Sequence, residues 1–191
     1  MSQAALQKLK ERFPDAVTET YTGKGGDDVA LVKKEAIAEV CRFLREDPEL
    51  LFDMAPYITA ADYMGSEPRF DVVYQMYSTR KNHRIRLRVG VPESDPVVAS
   101  VTSIWKGANW YERYCWDMYG IRFEAHPDPR RLYMYEEFVG HPLRKDFPLE
   151  KLPNEGARVV ARALQRYGMY HADGGNIALT AQSDRHTTRK W

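Results

Sequence analysis

The sequence predicts an α+β chain: a small mixed-sheet domain with packed helices, followed by an extended C-terminal arm. Three observations predict it. Two runs between residues 70 and 91 carry a strong β-signal, and the second alternates apolar with polar side chains, the period of a half-buried strand. Segments 3–13, 33–46 and 109–119 place apolar residues at helical spacing. Beyond Ile121 both periods fail, and prolines, glycines and charges crowd together. Proline fixes φ and removes an N–H donor, so this stretch reads as extended chain with rigid turns. The division therefore falls at 121/122, with residues 1–121 as the core and 122–191 as arm and tail.

The elements follow in order. Ala5, Leu6, Leu9 and Phe13 share one helix face, and Pro14 ends the run. Val17–Tyr21 alternates as a strand, Gly23–Gly26 is a turn, and Val29–Val32 is a second strand. Residues 33–46 form an amphipathic helix with Ile37, Val40, Cys41 and Leu44 on its apolar face. A strand is expected near Tyr57–Tyr63. Phe70–Tyr77 and Ile85–Val91 flank the polar turn Thr79–His83 and read as a central antiparallel hairpin. Ile85, Leu87, Val89 and Val91 point to one face, and Arg86, Arg88 and Gly90 to the other. Pro92–Pro96 is a loop. Residues 109–119 form a helix, with Asn109 as N-cap, Glu112 at N3 in an Asn variant of the capping box, and Gly120 at the C-terminal cap. Arg113 and Asp117 have the i, i+4 spacing of a helix-surface pair. Val159–Leu164 fits either a strand or a short helix. After Gly174-Gly175 the polar end Ala181–Trp191 reads as mobile. The interleaving of helices and strands through 1–120 has a ferredoxin-like flavour.

Composition excludes several classes. A chain of 191 residues is long enough for one domain with its own core. No run approaches the roughly 20 apolar residues that span a bilayer, and the start has no apolar stretch of the signal-peptide kind. Lys plus Arg number 28 against 27 Asp plus Glu, net +1, too balanced for bulk nucleic-acid binding. The charge is uneven, however. Residues 1–120 are net −2 and 151–191 net +4, so the tail suits an acidic protein surface, RNA or solvent. Cys41 and Cys115, the two cysteines, are too few for an iron–sulfur cluster and read as reduced thiols.

Candidate chemistry is thin. His126, Asp128, His141 and Asp146 could ligate a metal, but no pair has helix-face spacing and each histidine precedes proline. Histidines bonded to backbone in tight turns is the simpler reading. No nucleophile elbow is present, and Cys115 sits among Trp110, Tyr111, Met118 and Tyr119 as a core thiol. No dinucleotide or P-loop glycine pattern occurs, and Asp27-Asp28 after Gly23–Gly26 would repel a phosphate. Tyr74, Tyr77, Arg84, Arg86 and Arg88 could form an RNA-binding sheet face, or simply a solvated one. What remains is the run 109–149, where Glu112, Arg113, Asp117, His126, Arg130, Arg131, His141, Arg144, Lys145 and Asp146 stand among rigid prolines. Stiff backbone, arginine forks and aromatics are the profile of a partner interface. The same arginines could instead tie the arm to its own domain.

Three strings in this run carry a family resemblance: Glu112–Ile121, His126–Leu132 and Gly140–Leu149. They resemble the 30 kDa subunit family of respiratory complex I, the NADH–quinone oxidoreductase. The likeness is clear over 100–149 and looser over 29–99. Tyr114 stands where the family usually has a second acidic residue. The resemblance implies a non-catalytic structural and assembly subunit of the hydrophilic arm, on the cytoplasmic face of the bacterial inner membrane. Its partners would be the large subunit that forms the quinone site and neighbouring iron–sulfur subunits. It implies no cofactor or metal on this chain; iron–sulfur clusters, flavin, NAD and quinone belong to the parent complex. Arg130, Arg131, Arg144 and Lys145 would then meet carboxylates of neighbouring subunits. Two other classes stand beside this expectation: a stand-alone single-stranded RNA-binding module, and a metal-dependent hydrolase on His126, Asp128 and His141.

Overall fold

The computed structural model describes residues 3–23, 25–149 and 155–167. Helix α1 spans Gln3–Arg12, and strands β1 (Val17–Thr22) and β2 (Asp28–Val32) form a hairpin after it. A 3-10 turn at Lys34–Ala36 leads into α2, Ile37–Glu46. Strands β3 (Met54–Asp62), β4 (Phe70–Ser78) and β5 (His83–Val91) form an antiparallel meander. The five strands make one sheet in the order β1-β2-β5-β4-β3, mixed because β2 runs parallel to β5. Short strands β6 (Val97–Ala99) and β7 (Arg122–Glu124) pair in parallel in a second sheet, and α3 spans Ala108–Tyr119 between them. Helix α4 covers Glu155–Tyr167. The choice left open at Val159–Leu164 thus falls to helix.

The period-2 reading holds along β5, while β4 is buried on both faces, Asp71 and Gln75 included. Val72, Tyr74 and Met76 on β4, and Ile85, Leu87 and Val89 on β5, enter one hydrophobic core with Leu6, Leu9, Ile37, Val40, Leu44, Cys115 and Met118 from α1, α2 and α3. The opposite side of β5 carries Arg86 and Arg88. Arg86 pairs with Asp27, and Arg88 with Asp71 and the Tyr21 hydroxyl. The expected RNA-binding face therefore does not form as drawn. Tyr74 is fully buried on the core side, away from these arginines, because alternation along β4 puts it across from Leu87.

Cys41 and Cys115 are buried free thiols whose pKa values burial pushes up. Strands β6 and β7 escaped the sequence reading. Three residues are too few to show a period, and their pairing joins chain segments over 20 residues apart. Among the described residues no helix is long and apolar enough to cross a membrane. The expected mobile end, 181–191, lies outside the described residues.

Candidate partner-binding site at the arm–helix junction

The carboxyl end of α3 builds the site. The last four carbonyls of any helix lack intrahelical partners and must find others. Here they are all met. Gly120 N–H donates to Trp116 O at 2.8 Å. His141 Nδ1 bonds Asp117 O at 3.0 Å, Leu143 N–H donates to Met118 O at 3.1 Å, and Arg144 Nε donates to Tyr119 O at 2.6 Å. Three of the four partners come from the string His141–Arg144, and the arginine adds a cation where the helix dipole favours one. Gly120 closes the helix at φ 76°. A Cβ there would lie 2.6 Å from the His141 ring and 2.7 Å from Arg144, so the left-handed cap and the close approach of the arm both require glycine.

Asp117 is the second anchor, with none of its side chain exposed. Its Oδ2 accepts N–H bonds from Leu132, Tyr133 and Met134 at 3.1, 2.7 and 2.9 Å. Its Oδ1 accepts from Arg131 Nη1 at 2.6 Å. Successive backbone amides turned inward form an anion cradle, and the guanidinium supplies the charge-assisted bond. Arg131 Nη2 also donates to Phe138 O at 2.7 Å and Gly140 O at 3.2 Å, and its Cζ lies 5.2 Å from the Trp116 ring and 5.6 Å from that of Phe138. One buried pair thus fixes residues 131–140 against the helix.

A third anchor centres on Arg69, just before β4. Its guanidinium is buried and makes a two-bond fork with Asp62 at 2.9 Å each. It also bonds Asp146 at 2.7 and 3.0 Å and Glu93 at 2.6 Å. Lys145 N–H donates to Asp62 Oδ2 at 2.8 Å. Burial pushes the Asp62 carboxyl up, but the Arg69 fork outweighs it and holds the pKa below the usual value; Arg69 likewise holds that of Asp146 down. Phe70 lies between Arg69 and Arg144, each Cζ 5.0 Å from its ring.

Asp117, Arg131, His141 and Arg144 thus meet at the end of α3 and Asp146 joins the Arg69 cluster, whereas Glu112 and His126 lie together at a separate joint, and two readings differ from expectation. Asn109 is not the cap of α3. The helix starts at Ala108 after Gly107 without a side-chain cap, and Glu112 turns back to accept from Val101 N–H and Ser100 Oγ, each at 2.7 Å. Arg113 does not pair with Asp117. It donates to the carbonyls of Arg130 and Arg131 and lies 3.5 Å from Asp128, because Asp117 is taken by the arm. His126 and His141 bond to backbone, the simpler of the two sequence readings. Their ring nitrogens are spent on Asn109 O, Asp128 N–H and Asp117 O, and among the described residues no three His, Cys, Asp or Glu side chains cluster as a metal site. Burial lowers the His141 pKa, favouring its neutral ring.

Arg130 pairs with Asp128 at the surface, its side chain 70% exposed, and Lys145 is exposed. Tyr114 is buried and meets the rings of Tyr119 and Tyr133 edge-on at 6.3 and 6.1 Å, so the residue standing at the family's usual acidic position packs against the root of the arm. Around the junction Trp110, Tyr133, Tyr135 and Val139 are exposed. Arg69, Asp62 and Glu93 were missed by sequence reasoning. The signal was the hairpin itself, since antiparallel pairing of β3 with β4 sets Asp62 opposite Phe70, next to Arg69.

A mixed sheet backed by helices, with an arm anchored on the end of α3, defines an α+β class of chain. The model of the family described as "Respiratory-chain NADH dehydrogenase, 30 Kd subunit" matches residues 30–153. The chain is 46% identical over 165 residues to the C-type NADH-quinone oxidoreductase subunit of Roseiflexus sp. (strain RS-1), covering 86% of this chain and 91% of that one. It is 43% identical over 147 residues to the corresponding subunit of Geobacter sulfurreducens, covering 76% and 89%. The solved Nqo5 trypsin-resistant fragment (1-134) superposes with a TM-score of 0.55 at 27% identity, over 67% of this chain and 99% of that fragment. A chain of the archaeal membrane-bound sulfane sulfur reductase shares the fold, with a TM-score of 0.66 at 19% identity, over 95% of this chain and 99% of that one. The chain belongs to the 30 kDa subunit family of respiratory-chain NADH dehydrogenase, which is respiratory complex I.

Proposed function

We propose that this chain is a structural and assembly subunit of the hydrophilic arm of a quinone oxidoreductase driven by NADH or a related donor. It holds the quinone-site subunit and neighbouring iron–sulfur subunits while they pass electrons to quinone, and it contributes no catalytic residue, metal or cofactor site of its own. It acts peripherally, on the cytoplasmic face of the bacterial inner membrane. One observation carries this reading: the three strings that mark the family form a single anchored structure, where Asp117, Arg131, His141 and Arg144 fix the arm to α3.

An arm prefixed on its own domain loses less conformational entropy on docking. Its exposed Arg130 and Lys145, and the exposed Tyr133, Tyr135 and Val139 beside them, are the groups left for neighbours. The alternative readings lose their support in the geometry, since Tyr74 is buried in the core and the two histidines are committed to backbone.

The test is a mild-detergent pull-down of the full chain from its native membrane, with the co-purifying subunits identified by mass spectrometry. Recovery of a quinone-site subunit and cluster-bearing subunits is expected. Recovery of the chain alone, at low salt as well as high, would overturn the reading. Arg131→Ala and Arg144→Ala should lower the amount of assembled complex.

A further inference from the structure

Glu112 is a buried charge that the arm does not use. Its side chain has no exposed surface. The Val101 N–H and the Ser100 hydroxyl donate to its two oxygens, and Ser100 Oγ in turn lies 2.8 Å from Thr102 Oγ1. Among the described residues no lysine or arginine pairs with it. The groups that face it are Cys115 from its own helix, Cys41 from α2, Tyr74 from β4, Ser100 and Thr102 after β6, and His126 from the loop after β7. A surface cavity of about 400 Å³ reaches this joint, walled by Glu112, Arg113, His126, Trp116 and Phe123, with Arg122 and Glu124 of β7 at its side. The Arg113 guanidinium is spent on the arm carbonyls and Asp128.

His126 is the one titratable base within reach, with Nε2 3.9 Å from the Glu112 carboxylate. Both of its ring nitrogens are engaged by backbone: Nδ1 accepts the Asp128 N–H at 3.0 Å, and Nε2 donates to Asn109 O at 3.1 Å.

We propose that Glu112 is a proton switch in the joint between α3, the segment after β6 and the loop after β7, taking up and releasing one proton within the physiological pH range. The proton comes from solvent through the cavity, forms the O–H of the carboxylic acid on Oε2, and returns the same way. In the ionised form the carboxylate needs both donors, Ser100 and Val101. In the neutral form it donates to Ser100 Oγ, the hydroxyl proton of Ser100 turns toward Thr102, and only the Val101 bond holds the segment as before. Burial supports this range by pushing the Glu112 carboxyl up to about 7, against the opposite pull of the Ser100 and Val101 bonds. The proposal is independent of the partner reading, since it concerns the chain by itself.

The test follows the Val101 amide and the carboxyl carbons of the glutamates by NMR in the full chain, from the ordinary glutamate range to well above neutrality. One glutamate carboxyl and the Val101 amide should titrate together, with one midpoint near neutrality and a tenfold change in protonation ratio per pH unit. Glu112→Gln should abolish the Val101 transition, whereas Glu124→Gln, on exposed β7, should leave it. If every glutamate carboxyl titrates in the ordinary range, the proposal is overturned. It is equally overturned if the Val101 transition persists in Glu112→Gln or is lost in His126→Asn alone. The carboxyl titration of the unmodified chain decides the question even where a variant fails to fold.

Discussion

Helix α3 buries two carboxylates five residues apart, and they are served differently. Asp117 has a guanidinium at 2.6 Å and three backbone amides, whereas Glu112 has one amide, one hydroxyl and an imidazole at 3.9 Å. The cost of burying a charge is several kcal/mol unless pairing and hydrogen bonds compensate it. At Asp117 the chain compensates it with its own arm, so the carboxylate becomes the reason the arm is ordered. At Glu112 no lysine or arginine among the described residues does, and burial pushes the carboxyl up to about 7. Full pairing makes a clamp and partial pairing makes a titrating joint, although both sit on one helix in one core.

The largest break in this comparison comes from Asp117→Ala. It leaves the Arg131 guanidinium and three inward-facing amides without their acceptor, and should cost about 3–5 kcal/mol. Urea unfolding of the full chain would read it. Glu112 predicts the next effect, with the opposite sign in pH. Its folded pKa lies above the ordinary 4.5, so the folded state holds the proton longer than the unfolded one. This contribution is full below pH 4.5 and is lost as pH rises through about 7. The loss is of order 3 kcal/mol, and Glu112→Gln, which keeps both hydrogen bonds by shape, should flatten that limb. Asp62 and Asp146 act the other way. Their lowered pKa values give stability that is present above the ordinary carboxylate range and lost on acidification, so the acid limb should survive Glu112→Gln and shrink in Arg69→Met, leaving the share of Asp47 and Asp53.

A smaller effect is expected at Gly120. Alanine there must hold a left-handed φ and push His141 and Arg144 aside, costing about 1–3 kcal/mol and loosening the arm before the sheet. The smallest belongs to Arg130. Its pair with Asp128 is at the surface, and Arg130→Ala should leave the urea midpoint unchanged within error.

What could be read in the sequence follows the same physics. The hairpin of β4 and β5, the apolar face of α2, the core position of Cys115 and the glycine cap of α3 were legible because local periodicity and local φ determine them. Glu112 was misread as a capping residue and Arg113 as a partner of Asp117 because both readings used only helical neighbours. Their true partners, at 100–101 and 130–131, lie 11 to 18 residues away. The Arg69 cluster joins chain segments up to 83 residues apart. No pattern in a single sequence marks such a pairing, although the hairpin register placed Asp62 beside Arg69. The arm itself was legible as stiff chain, while the reason it is held was not, since that rests on one aspartate in another element.

The central claim is that the arm is already clamped before any partner arrives. Hydrogen exchange at the Leu132, Tyr133 and Met134 amides in the isolated full chain tests it most directly. Slow exchange at all three, lost together in Asp117→Ala while the β4 and β5 amides stay protected, is the predicted result. Free exchange of these amides in the unmodified chain would mean that the clamp forms only on the partners, and would contradict the account.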